Sequence, residues 1–514
     1  MLNATKGKAT ALQHISSVFI AMLFSLFLLA VPQGGYAAIM DFKYVLFLLI
    51  CGGYCAVIIV VRVQLALIGA KPLENPKKVI KEIPLAMKLL FLFLFFTILS
   101  SILSEYSGTF TGAFRREGVL TIAIYVLGCS FVSTYFRPQK WMFYLLGVST
   151  CLFCILSLAQ LCGANPFMLY PEGHNYFGAN VYYPGQFIGT IGNAGISAAF
   201  ISIVIAVFSM TLIKYDHKER WLLSIPLLLA VFLVLKMTID AGIIALGAGF
   251  LLMLPVAVTD QKSLSRFLFV MAIVVTAFTF SQAIVLTEGS AELRSGRLML
   301  LTVSGFAALL GYAAKKGKWI CKLSKKWYRI GTIAVVLLVI CLALIFLWFY
   351  AGDASSGGMI YEASEALHGR WEDSFGSWRG YIWRGVLSGI TPRSLLLGTG
   401  PDTLGHWVIP SSTRYNEELG ATVVSRIDFD AAHNEYLNIL ATGGILSLLC
   451  YLGALASAMV QWYRNPDTEL SAVAGAGVMF YCIQAFYGIS MCITAPFFWT
   501  GLAVLIQVPH PART

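Results

Sequence analysis

A histidine that opens an apolar helix is the residue of this chain best placed to move a proton. The stretch Ala432-His433-Asn434-Glu435-Tyr436-Leu437 runs into a segment apolar enough to cross a membrane. Imidazole ionises near neutral pH, so His433 is the first candidate for acid–base work. The positive end of a helix dipole favours its neutral, proton-accepting form. Asp428, Asp430 and Glu435 pull the other way, and sequence alone leaves that balance open. Gly444 follows eleven residues later. On a straight helix that interval turns about 1100° and rises roughly 16 Å. His433 and Gly444 are therefore expected on one face, where a glycine lets a neighbouring helix approach closely. The plainer reading is that Asp430 caps the helix and His433 is an ordinary interfacial residue.

Arginines are the second group with chemical potential, because a planar fork grips phosphate or carboxylate. Six lie between residues 351 and 432: Arg370, Arg379, Arg384, Arg393, Arg414 and Arg426. Trp378, Ile382, Val386 and Ile390 recur every four residues there. They predict an amphipathic helix that Pro392 ends, with Arg379 and Arg384 off the apolar stripe and facing polar space. The tight turn Gly398-Thr399-Gly400-Pro401-Asp402 follows. Asp428-Phe429-Asp430 has the spacing of a divalent-cation site, but Asp-x-Asp is common by chance, and no metal is expected.

Composition says what must hold these groups. Of 514 residues, 58% are hydrophobic and only 12% charged, and mean hydropathy is +0.78. Soluble domains carry roughly 25% charged residues, so a soluble enzyme is excluded. Disorder and a β-barrel are excluded too, the first by hydrophobicity and the second by solid rather than alternating apolar runs. The expected fold is all-α, a polytopic membrane bundle of about fourteen spans. They fall near 14–32, 43–62, 85–103, 118–136, 142–161, 192–213, 221–238, 241–258, 266–286, 298–314, 330–350, 433–462, 470–489 and 491–508. Residues 1–350 would form an N-terminal bundle, 351–432 a large outer loop, and 433–514 the last spans. The first 38 residues imitate a signal peptide, but more spans follow at once, so they are read as an uncleaved first span. The cysteines sit mostly inside apolar runs and predict no disulfide framework.

The net charge of +11 points to topology rather than nucleic acid. With the N-terminus inside, inner segments hold 24 of the 36 Lys+Arg, which fits the positive-inside rule with both termini cytoplasmic. The heaviest inner segment is Lys315–Arg329, and Lys71, Lys77, Lys78 and Lys81 add to another. Outer segments hold ten arginines and only two lysines, Lys43 and Lys236. Topology does not distinguish Lys from Arg, so this split suggests an anionic ligand outside, against the alternative that these arginines merely pair with acids. A second outer segment, 162–191, carries Tyr170, Glu172, His174, Tyr176, Tyr182 and Tyr183, a sugar-contacting composition. A lipid-linked glycan flippase or other transporter is the competing class. The single long loop, the absence of internal repeats and the scarcity of ionisable residues deep in spans weigh against it.

The chain resembles the O-antigen ligase and polymerase superfamily of membrane glycosyltransferases. The resemblance rests on Arg379-Gly380-Tyr381-Ile382-Trp383, on Leu397-Gly398-Thr399-Gly400-Pro401-Asp402, and on His433-Asn434-x-Tyr436-Leu437 running into Gly443-Gly444. Weaker matches are Arg116-Glu117-Gly118 and Gly192-Asn193. Motif-level similarity covers residues 375–455. It implies a GT-C-like bundle that takes a glycan from an undecaprenyl-pyrophosphate carrier at the outer face of the cytoplasmic membrane. The glycan passes to a hydroxyl of another glycan, a lipid-core sugar or a protein, with inversion and without a metal or other cofactor. It further implies His433 as base and Arg379 as pyrophosphate ligand. Arg116, Arg384, Arg393, Asn434, Tyr436 and Asp402 are the remaining substrate-binding candidates. One departure stands out: where many members carry a Ser-Arg pair after the seventh span, this chain reads Thr238-Ile239-Asp240-Ala241.

Overall fold

The computed structural model describes residues 2–69, 82–171, 187–287, 290–293, 324–351, 358–407, 412–416, 421–425, 429–465 and 469–507. Nine described helices are long and apolar enough to cross a membrane: Gly35–Leu67, Leu85–Ile102, Lys140–Leu161, Ala194–Lys214, Lys218–Met237, Asp240–Ala257, Gln261–Ala283, Lys325–Trp348 and Glu435–Arg464. Four shorter apolar helices, Ala11–Phe27, Val119–Tyr135, Glu469–Ala485 and Ala495–Ile506, match the other expected spans but one. That one, 298–314, lies outside the described residues. So do Lys71, Lys77, Lys78 and Lys81, the cations from Lys315 to Lys322, and Glu172, His174, Tyr176, Tyr182 and Tyr183.

The fold is that of a polytopic helical membrane protein. Its mantle is apolar: along Lys325–Trp348, Leu337 and Leu338 are both 58% exposed, which only a lipid solvent tolerates over such an area. The centre is the helix Ala194–Lys214, buried nearly throughout. Asn193 caps its start by accepting from the Ile196 amide at 3.1 Å. Arg266 closes its end, donating to the Ile213 carbonyl at 3.0 Å, so backbone groups left over by the helix are satisfied. The N-terminal helix belongs to the same core, with Phe19 stacked on Tyr54 at 4.2 Å. Lys43 caps that helix's last turn, donating to the Phe27 carbonyl at 2.5 Å. Two short antiparallel hairpins decorate the bundle. One pairs β1 (Ile284–Thr287) with β2 (Ser290–Leu293), the other β3 (Ser412–Asn416) with β4 (Ala421–Ser425).

Six helices build the site. They are α1 (Leu85–Ile102), α2 (Val119–Tyr135), α3 (Phe375–Gly389), α4 (Pro392–Leu397), α5 (Glu435–Arg464) and α6 (Ala495–Ile506). Helix α5 packs most extensively on α1, and α4 packs on α5. The connections 103–118, 398–407, 429–434 and 486–494 converge at one end of the bundle. Three local expectations change. Gly376, Ser377 and Trp378 are left-handed, so regular helix begins only after them, while Ile382 and Val386 are buried as the stripe requires. Pro392 does not merely end that helix. It occupies the first turn of α4, where its missing N–H costs nothing, behind the capping residue Thr391. Finally, α5 is broken at Gly444, whose φ of 81° and ψ of 172° only glycine adopts readily. The straight-helix register between His433 and Gly444 therefore does not hold.

Candidate functional site

His433 sits in a clipped turn rather than at a helix start. Its φ is +48°, and the capping residue is the next one, Asn434, whose side chain accepts from the Leu437 amide at 3.0 Å. Asp430 is not the cap. The preceding residue, Ala432, is held from both sides. Its carbonyl accepts from the Trp383 indole at 2.9 Å, and its amide donates to Asn438 Oδ1 at 3.2 Å. Trp383 comes from α3 and Asn438 from α5, so both elements must dock before the histidine is presented. The left-handed backbone at His433 is a strained conformation fixed by these clips.

Two guanidinium groups act electrostatically on the imidazole. Arg379, in the first regular turn of α3, is largely buried. It donates from Nη1 to the Gly376 carbonyl at 2.6 Å and from Nε to the Tyr487 carbonyl at 3.2 Å. Burial lowers its pKa, while Asp240, Tyr487 and Glu362 hold it up. An arginine stays charged under such conditions. Asp240, from the stretch Thr238-Ile239-Asp240-Ala241, brings an acid's charge to bear on Arg379. Arg379 is thus not directed freely into polar space, as expected from the helical stripe.

The second guanidinium belongs to Arg115, which sequence reading missed in favour of its neighbour. Arg115 Nη2 pairs with Asp430 Oδ1 at 2.6 Å, with 18% of the arginine side chain exposed. Arg116 turns away at φ +61° and pairs with Asp41 at 3.0 Å. The turn is set by Gly112, at φ +90°, where a Cβ would lie 2.6 Å from the backbone of Arg116 and Glu117. Asp402 fixes it from outside. Its carboxylate, 7% exposed, accepts through Oδ2 from the amides of Phe114 at 2.9 Å and Arg115 at 2.7 Å.

The resulting field determines the state of His433. The half-buried imidazole has its pKa lowered to about 4. Burial is the largest cause, followed by Arg115 and Arg379, with Asp430 opposing. The ring is neutral at pH 7, which resolves the balance left open above. A neutral imidazole beside two cations can accept a proton while the cations hold an anion.

The other expected ligands are placed as follows. Arg384 pairs with Asp373, and Arg393 with Glu105 at 2.6 Å. Both side chains are mostly exposed, and neither is among the charged groups around His433. The Tyr436 hydroxyl donates to the Cys482 carbonyl at 2.7 Å, tying α5 to the helix Glu469–Ala485. Asn434 is a cap, and Asp402 clamps the Arg115 turn. Asp430, the described half of the Asp-x-Asp pair, is committed to Arg115, and Asp428 lies outside the described residues. A signal for Arg115 existed in the sequence, because Arg115-Arg116 supply two of the ten outer arginines on one short connection.

Comparison with curated proteins finds no match. Residues 283–452, which carry α3, α4, the His433 turn and the start of α5, match the family model described as O-antigen ligase. Over those residues, about a third of the chain, it is similar to the O-antigen ligase family that its motifs resemble.

Proposed function

We propose that this protein transfers a glycan from an undecaprenyl-pyrophosphate carrier to an acceptor hydroxyl. The transfer would take place on the extracytoplasmic face of the cytoplasmic membrane, with both termini cytoplasmic. The observation that carries this reading is the neutral His433 in the field of Arg115 and Arg379, two guanidinium groups from separate segments. Arg379 and Arg115 bind the pyrophosphate and neutralise the charge that grows on it as the bond to the sugar breaks. His433 takes the proton of the acceptor hydroxyl. The acceptor oxygen forms its bond to the anomeric carbon as the carrier pyrophosphate departs, so a single displacement inverts that centre. The proton then leaves the imidazolium for solvent. The acceptor is a hydroxyl on a glycan, a lipid-core sugar or a protein.

General-base assistance is worth about 10²–10⁴-fold, so His433→Ala is expected to lose roughly 3–5 kcal/mol of transition-state stabilisation. The protein should still insert and bind undecaprenyl pyrophosphate. The assay is transfer by purified protein given carrier-linked glycan. Near-normal turnover in a folded His433→Ala protein would remove the base from the mechanism. Because arginines supply the positive charge, transfer is expected to persist in excess chelator. Loss of activity restored by magnesium or manganese would move the chemistry to Asp428 and Asp430.

A further inference from the structure

Beneath the His433 turn the bundle encloses a cavity of about 670 Å³, its open mouth included, among α1, α2, α5, α6 and the 489–490 connection. Arg115 and Asp430 belong to its wall, so it adjoins the candidate site directly. Its wall is largely apolar, with two carboxyl groups, Glu117 and Glu435, set in it besides Arg115, Asp402 and Asp430. Glu117 accepts from the Tyr125 hydroxyl at 2.8 Å, and Glu435 accepts from the hydroxyls of Tyr451 at 2.5 Å and Tyr481 at 2.8 Å. A carboxyl group has more hydrogen-bonding capacity than one or two such contacts consume. Trp499 also lines the cavity. It is 6% exposed and stacks on Tyr125 with ring centroids 5.6 Å apart. Buried hydrogen-bonding capacity left unmet costs about 1–3 kcal/mol, which asks for an occupant that can hydrogen-bond to Glu117 and Glu435.

The wall selects the occupant by chemistry. Apart from Arg115, which is paired with Asp430, the wall offers a second phosphate no cation. A polyprenyl chain would leave the remaining hydrogen-bonding capacity of Glu117 and Glu435 unmet. Among the described residues no group of three acids, histidines or cysteines could hold a metal ion. Burial raises Glu117 to about 8, with Asp402 and Glu435 adding to the shift against the Tyr125 bond. At neutral pH it is therefore mostly a neutral carboxyl, able to donate as well as accept. A hydroxylated ring meets every condition, since its hydroxyls both donate and accept and its C–H faces suit an aromatic wall.

We infer that this cavity is a sugar subsite, holding an uncharged pyranose ring of a glycan substrate beside His433. The inference rests on the transferase reading above. The ring belongs either to the carrier-linked donor or to the acceptor, and the test separates them.

Two variants probe it in purified full-length protein. Ile439→Phe pushes bulk into the cavity from α5. Glu117→Leu roughly keeps the size of the side chain while removing its hydrogen bonding. The probes are undecaprenyl pyrophosphate without sugar, the carrier-linked glycan, and transfer followed against acceptor concentration. Both variants should bind undecaprenyl pyrophosphate as the unaltered protein does. If the ring is the donor's, the tighter binding of carrier-linked glycan over bare carrier falls at least tenfold. If it is the acceptor's, that preference survives and the acceptor KM rises at least tenfold. Should Ile439→Phe fail to fold, Glu117→Leu decides alone. Preference and KM both within twofold of the unaltered protein in the folded variants would overturn the subsite. Failure of the transferase reading looks different: the unaltered protein would neither bind bare carrier pyrophosphate nor transfer glycan from it.

Discussion

Asp402 separates a clamp from a chemical role, and two substitutions tell them apart. Its Oδ2 receives the amides of Phe114 and Arg115, and its own backbone is left-handed at φ +60°. Asp402→Asn keeps an amide oxygen that can occupy the Oδ2 position and accept both bonds. Asparagine also tolerates the left-handed conformation nearly as well as aspartate. Asp402→Ala removes the acceptor and strands two largely buried amides at about 1–3 kcal/mol each. Adding strain at a left-handed alanine, of order 1 kcal/mol, the local cost is about 3–7 kcal/mol. That is enough to release the Arg115 turn without unfolding the bundle. Donor binding and transfer should then fall to the level of an Arg115→Ala protein, while the asparagine variant stays within a few-fold of the unaltered one. The assay is transfer by purified protein, with undecaprenyl-pyrophosphate binding measured alongside. An asparagine variant that folds and binds carrier but is as inactive as the alanine variant would refute the clamp. The carboxylate's charge would then act on substrate directly.

Two further predictions follow from the charges around His433. A base must be neutral, and this one has its pKa lowered to about 4, so kcat/KM for donor should be flat across neutral pH and fall only as pH drops to about 4. Arg115→Gln removes one of the two cations that depress the imidazole, which raises its pKa and moves that acid limb upward. A limb at the same pH in both proteins would break the electrostatic link. Arg379→Lys keeps charge but cannot make both the Gly376 and Tyr487 contacts. With hydrogen bonds to charged groups worth roughly 1.5–3 kcal/mol, transfer should drop about 10–100-fold, and a lysine variant at the unaltered rate would show that only charge matters there.

Much of this arrangement was legible in the residues, and what was hidden had local causes. The spans followed from apolar runs, because lipid leaves a chain few other ways to satisfy its backbone. Arg379 and His433 were found by type and by their neighbouring motifs. Arg115 was not, since choosing between adjacent arginines depends on one left-handed turn around Gly112. The register from His433 to Gly444 failed because counting residues assumes an unbroken helix, and Gly444 breaks it. Gly443-Gly444 hinted at that break, but a glycine pair serves close helix packing equally well. The roles of Asp402 and Asn434 as clamp and cap depend on which donors lie nearby, something spacing does not encode.

The break at Gly444 also bears on how the chain assembles. Where α5 is interrupted, the carbonyls of Ala441 and Thr442 lie outside the regular helical ladder. They accept from the amides of Thr399 at 3.2 Å and Gly400 at 2.9 Å, and Thr442 also from Ser100 Oγ at 2.7 Å. In a bilayer each backbone group left bare costs several kcal/mol, so α5 is an incomplete membrane helix until the Gly398–Asp402 turn is seated in it. That turn is synthesised before α5, and α1, which brings Ser100, long before both. The plug and one wall are therefore already present when the socket emerges, and the helix finishes inserting by closing around them. The same seating brings Asp402 to Arg115 and the α3–α4 segment to the His433 turn, so the contacts that complete α5 also complete the site.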